Sequence, residues 1–130
     1  MAIQFPDNQV LTVYGVHLVP YHVWPFELWR CWELSRLLSH IRRAVPGPHV
    51  LAVDFNSLAP GDRAHFENAP LWVKAQTWLQ AGLVLHSALR LVLGAGYVDC
   101  FRKLHPPEDG FTLPAPNPSV RLDYVFASAT

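Results

Sequence analysis

The chain has 130 residues, a length that fits one domain, and it is 51% hydrophobic and 15% charged, which makes it globular and excludes a disordered chain. Its ten basic and ten acidic side chains cancel, so it lacks the basic footprint of a protein that grips long duplex nucleic acid. A small phosphorylated substrate, or local contact with nucleic acid, stays open.

Val10 to Val19 reads as a central strand, apolar on both faces, with Gly15 inside it and His17 near its end. A loop with Pro20 and Pro25 follows, and Pro25 suits the first turn of a helix running to about Val45. Cys31, Leu34, Leu38, Ile41 and Val45 fall on one stripe of that helix. The five Trp and seven Phe predict a large buried area; most of the ring surface of Trp24, Trp29 and Trp32 reads as core, with Trp24 the best exposed of the three. Pro46-Gly47-Pro48 ends the helix, and His49 to Phe55 is a second strand. Ser57 to Asn68 is a loop, in which Asp62 reads as a turn residue. Leu71 to Gln80 and Ser87 to Leu93 read as two further helices, the second stopped at Gly94 and Gly96. Five prolines between Pro106 and Pro118 force irregular backbone. Val120 to Phe126 is a final strand, with Leu122, Tyr124 and Phe126 on one face and Arg121 and Asp123 on the other. The order β-α-β-α-α-β predicts a mixed α/β layered fold.

Cys31 and Cys100 have no neighbours at metal-site spacing. Cys31, on the apolar stripe, reads as a buried thiol rather than half of a disulfide. The N-terminus lacks the basic segment and apolar core of a signal peptide. The longest apolar run, Leu83 to Leu93, is broken by His86 and Arg90 and is too short to span a bilayer. These features predict a soluble chain, with the cytoplasm favoured.

Val50-Leu51-Ala52-Val53-Asp54-Phe55-Asn56-Ser57 carries the most information. An apolar run ends in an acid, an aromatic and an amide. Residues two apart in a strand face the same side, so Asp54 and Asn56 point together and Phe55 points into packing. Two readings stand on this octapeptide: an active-site edge that handles a metal-bound water or phosphate, or the start of a turn, since Asp, Asn and Ser favour turns. His17 and Asp123 add two more polar groups from otherwise apolar strands. Alone, His17 reads as a structural histidine and Asp123 as a surface partner of Arg121, worth little. Together, three strands each deliver a polar group, as α/β sites at strand ends do. His22 reads as a loop residue, and the other histidines are scattered.

Four pieces in order resemble the C-terminal half of the endonuclease/exonuclease/phosphatase superfamily. They are Gly15-Val16-His17-Leu18; Arg30-Cys31-Trp32-Glu33-Leu34; Val53-Asp54-Phe55-Asn56-Ser57; and Gly96-Tyr97-Val98-Asp99 with Phe101-Arg102, followed by Arg121-Leu122-Asp123-Tyr124-Val125-Phe126. The resemblance implies a four-layer α/β/β/α sandwich in the complete family, of which residues 1–130 form a partial domain with mixed sheet strands and flanking helices. It implies hydrolysis of a phosphodiester or phosphomonoester, in nucleic acid or a small phosphoester, with Mg²⁺ or Mn²⁺. His17 would bind the scissile phosphate, Asp54 would orient or deprotonate the attacking water, and Asn56 would hold a phosphate oxygen or that water. Asp54 and Asn56 are the candidate metal ligands. Asp123 would orient a second histidine, and Arg121 and Thr112 would contact substrate.

Val53 replaces the usual glycine before Asp54. The family's early metal-binding Glu and its terminal Ser-Asp-His are not found in this chain. Weak or absent hydrolysis by the chain alone is therefore expected. A different expectation is a non-catalytic binding or assembly module, self-associating through apolar surface left uncovered.

Overall fold

The computed structural model describes residues 1–21, 23–44, 47–65, 67, 71, 74–75, 86–114 and 116–128. In chain order the elements are β1 (Ala2–Gln4), β2 (Val10–His17), α1 (Trp24–Ala44), β3 (His49–Asp54), α2 (Ser87–Gly94), β4 (Val98–Asp99), α3 (Cys100–Leu104) and β5 (Asp123–Ala127). The fold is mixed α/β, with a five-stranded sheet in the order β1-β2-β3-β5-β4. β2 and β3 are parallel, with α1 crossing between them, and the other pairs are antiparallel. The helix expected over Leu71 to Gln80 falls largely outside the described residues, as do Val45 and His22.

Three short elements go beyond the sequence reading. β1 is a three-residue edge strand, too short to show a period. Its hairpin closes through Phe5 and Gln9, with Asn8 in left-handed backbone at φ 65°. β4 runs directly into α3 at Asp99, which pairs with Phe126 across the sheet while its carboxylate caps α3 by accepting from the Arg102 amide at 3.0 Å.

The sheet buries one face. Leu51, Val53 and Phe55 from the β3 segment, with Tyr124 and Phe126 from β5, pack against Leu34, Leu38 and Ile41 of α1 and Leu89 and Val92 of α2. The alternate residues Leu11 and Val13 on β2, Val50 and Ala52 on β3, and Val125 on β5 are absent from that cluster. Val125, and Ile3 of β1, which pairs with Leu11, are exposed on this side. This opposite face is apolar, and no described helix lies in the core cluster on that side.

The α1 stripe holds a correction. The residues it buries are Glu27, Arg30, Leu34, Leu38 and Ile41, so the inward face continues into two charged residues. Cys31 is displaced from its centre and is only half-buried. Trp24, Trp29 and Trp32 are all exposed, because Arg30 and Leu34 take the inward positions at their level. Trp29 and Trp32 meet edge to face at 6.1 Å, and the Arg36 guanidinium lies 5.3 Å from the Trp32 ring. Both cysteines are free thiols. Among the described residues no helix is long and apolar enough to cross a membrane.

Candidate active site

Strand register brings three of the expected residues into one row. His17, the last residue of β2, is paired with Asp54, the last residue of β3. Asp54 is paired in turn with Asp123, the first residue of β5. Paired residues project to the same side of a sheet, so the row crosses three adjacent strands at one sheet edge, on the face away from the helices. The His17 Nε2 lies 3.5 Å from the Asp54 Oδ2, with the His17 side chain 71% and the Asp54 side chain 34% exposed. Asp123 is exposed. No hydrogen-bond or ion-pair partner reaches its carboxylate among the described residues.

Asn56 completes the edge. It sits just past the strand in left-handed backbone, φ 47°, a conformation asparagine tolerates. Its amide N–H donates to the Asp54 Oδ1 at 3.0 Å, and its side-chain Nδ2 donates to the Leu18 carbonyl at 3.1 Å. The turn reading of Asp-Phe-Asn-Ser is realised, and it is this turn that fixes the polar edge. Asn56 anchors the loop after His17 with one amide hydrogen and keeps its second hydrogen and its Oδ1 for other contacts. Phe55 points into the core, edge-on to Tyr124 and Phe126.

Arg121 is not at this edge. It is 2% exposed and lies just before β5, so strand alternation does not govern it. Its Nη1 and Nη2 donate to the two Asp99 carboxylate oxygens at 3.1 and 2.5 Å, and its Nε donates to the Asp62 Oδ2 at 2.8 Å. Asp99 and Asp62 thus take up the guanidinium in a buried ion-pair hub. Asp62 is not a plain turn residue either, because it also receives Arg102 at 2.8 Å and the Tyr124 hydroxyl at 3.1 Å. Tyr124 is held above the ordinary phenol range by burial first and by the Asp62 charge second. Thr112 braces the row from behind: its Oγ1 accepts from the Leu122 and Asp123 amides at 3.1 and 3.3 Å. Among the described residues no histidine pairs with Asp123 in the manner expected of it.

The sequence reading missed Glu27 and Arg30. Both are buried, and they pair through Arg30 Nε and Nη2 to the Glu27 Oε2 at 3.0 and 2.8 Å. Their signal was present: stepping back from Leu34 by four and then three residues along the stripe lands on them.

The donor chemistry at the edge suits a hard divalent cation in part. Among the described residues no three His, Cys, Asp or Glu side chains form a metal cluster. Asp54 and Asp123 face each other as two oxygen donors. Mg²⁺ is commonly held by one or two carboxylates, with waters and phosphate oxygens completing its octahedron. Two like charges placed opposite each other repel, which a bound cation would relieve.

No protein-family profile matches the chain, and no curated protein does. Among solved structures it is similar to an AP endonuclease from Archaeoglobus fulgidus, at 19% identity and a TM-score of 0.60. That match covers 91% of this chain and 49% of the other, so the chain spans about half the length of its structural neighbour. The likeness establishes the fold.

Proposed function

We infer that the row His17–Asp54–Asp123 is the site of a metal-dependent phosphoester hydrolase of the endonuclease/exonuclease/phosphatase type. The observation that carries this reading is the register: three polar residues from three separate strands fall side by side at one sheet edge. The AP endonuclease neighbour supports a nuclease-like hydrolase and favours nucleic acid over a small phosphoester as substrate. Net charge of zero favours local contact over tracking along a duplex.

In this reading Asp54 orients the attacking water and takes its proton, since its half-exposed carboxylate is within reach of solvent. His17, on the solvent side of Asp54, binds the scissile phosphate. Asn56 offers its remaining amide hydrogen to a phosphate oxygen. Asp54 and Asp123 would hold Mg²⁺ or Mn²⁺, with the Asn56 Oδ1 as a further donor. The ion's chemistry there is to neutralise phosphate charge and assist the leaving oxygen. Two carboxylates are a small protein donor set, so turnover by this chain is slow. The test is Mn²⁺-dependent hydrolysis of bis(p-nitrophenyl) phosphate by the wild-type chain and by Asp54→Ala. Slow, metal-dependent release that disappears in the variant supports the reading; equal rates in both proteins contradict it.

A second reading is an assembly module that pairs through the sheet face opposite the core cluster. Its favouring observation is on that face itself: Ile3 and Val125 are exposed there, and no described helix lies in the core cluster on that side.

A further inference from the structure

We propose that the buried Glu27–Arg30 pair is the positioning device of the strand-end site, holding the loop behind His17 and, through it, Asn56. This rests on the phosphoesterase reading of that edge. Arg30 is 1% and Glu27 3% exposed, and both lie in the first two turns of α1, just after that loop. With Nε and Nη2 on Glu27, Arg30 keeps Nη1 for the loop. Nη1 donates to the Val19 carbonyl at 2.9 Å and to the Tyr21 carbonyl at 2.8 Å. Asn56 takes the Leu18 carbonyl. Three carbonyls in the four residues after His17 are therefore held by side chains from α1 and from the end of β3.

The backbone shows what this grip does. Tyr21 has φ 81°, a left-handed conformation that a bulky residue adopts only when its surroundings impose it. The Arg30 bond to its carbonyl is such an imposition. Tyr21 stays 55% exposed and leans on Phe26, with ring centroids 5.2 Å apart.

Glu27 extends the same frame in the other direction. Its Oε1 accepts from the Ala88 amide in the first turn of α2 at 2.8 Å, and its Oε2 accepts from the Ser57 Oγ at 3.4 Å. Ser57 directly follows Asn56. One carboxylate and one guanidinium thus tie together the loop after β2, the turn after β3 and the start of α2. These segments carry His17 and Asn56 on either side of Asp54. A core filled for stability alone does not need this arrangement, because a buried ion pair is often replaced by apolar residues with little loss. Fixing a site to within a fraction of an ångström does need it.

That difference sets the experiment. The double variant Glu27→Gln/Arg30→Met removes both charges, keeps an acceptor for Ala88 and fills the volume. Arg30→Lys is the companion, because it keeps the charge but cannot span Glu27, Val19 and Tyr21 together. Leu38→Ala, on the same helix, serves as a destabilised control. Each protein is titrated with Mn²⁺ while amide cross-peaks are followed by heteronuclear NMR. The double variant should melt close to wild type, shift the Leu18, Tyr21 and Asn56 cross-peaks, and need about 10-fold more Mn²⁺ to broaden Asp54 and Asn56, the usual size of a supporting-residue effect. Arg30→Lys should shift the same peaks. Leu38→Ala should melt lower while keeping peak positions and Mn²⁺ response. A double variant with unmoved peaks and wild-type Mn²⁺ affinity overturns the positioning role and leaves the phosphoesterase reading standing. A wild-type chain with no localised Mn²⁺ response overturns the phosphoesterase reading. In that event displaced Leu18, Tyr21 and Asn56 peaks in the double variant still support positioning of the strand-end row, and unmoved peaks overturn that too.

Discussion

Asp123→Asn separates a functional edge from a structural one, because it should act in opposite directions with and without metal. Asp54 and Asp123 are directly opposed in an antiparallel pair, a placement that puts Cα atoms about 4.5–5.5 Å apart. Like charges so placed cost about 0.2–1 kcal/mol. Asp54 is 34% exposed and Asp123 more so, so water screens the repulsion to about 0.5 kcal/mol. The substitution removes one charge at nearly constant shape, and the metal-free variant should gain about that amount, roughly 2 °C in Tm for a chain of this size. With Mn²⁺ about 100-fold above its Kd, the wild type gains about 2.7 kcal/mol, near 11 °C. If the variant binds about tenfold more weakly, the same Mn²⁺ gives it only about 1.4 kcal/mol. The order of stability then inverts: the variant melts higher without metal and lower with it. Thermal melts followed by circular dichroism, with and without Mn²⁺, read both numbers. A variant less stable than wild type without metal, or one with an undiminished Mn²⁺ shift, refutes the opposed-carboxylate site.

Arg121→Met leaves Asp99 without its bidentate partner and Asp62 with Arg102 as its remaining cation, so it should lose about 3–5 kcal/mol and show it as a Tm lower by more than 10 °C; a Tm within a few degrees of wild type returns Arg121 to a surface role. Tyr124 has its folded pKa raised, so its contribution is fully present below the ordinary tyrosine value near 10 and is lost as pH rises beyond it. Tyr124→Phe should flatten the alkaline decline in denaturant-measured stability, while a decline of unchanged steepness assigns it to other groups. Val125→Lys, on the sheet face opposite the core cluster, should abolish any concentration-dependent dimer seen in sedimentation equilibrium; a dimer that persists in the variant moves the contact off that face.

Much of the architecture was legible from apolar runs and punctuation. β2, α1, β3 and α2 were set by hydrophobic period, by Pro25 and by the Gly94–Gly96 stop. Asp54 and His17 were legible because each breaks an apolar strand at its end. Their registration with Asp123 was not, since a one-dimensional pattern does not state which strands pair. Strand alternation placed Arg121 on the Asp123 face, but residue 121 precedes the start of β5, and its guanidinium turns inward to Asp99 and Asp62. Aromatic composition misled at Trp29 and Trp32, because the inward stripe of α1 runs through Glu27 and Arg30. The spacing of the stripe reaches Glu27 and Arg30, but what they bind is visible only when their partners from the loop and α2 are in place. β1, β4 and α3 are too short for a hydrophobic period to repeat within them.

The most direct test of the strand-end site is Mn²⁺ broadening of the wild-type amide spectrum in the presence of inorganic phosphate. The account predicts broadening confined to His17, Asp54, Phe55, Asn56 and Asp123, with phosphate strengthening it and Asp54→Ala removing it. Broadening centred on exposed acids elsewhere, such as Glu108, with the His17–Asp54–Asp123 row untouched, would contradict it.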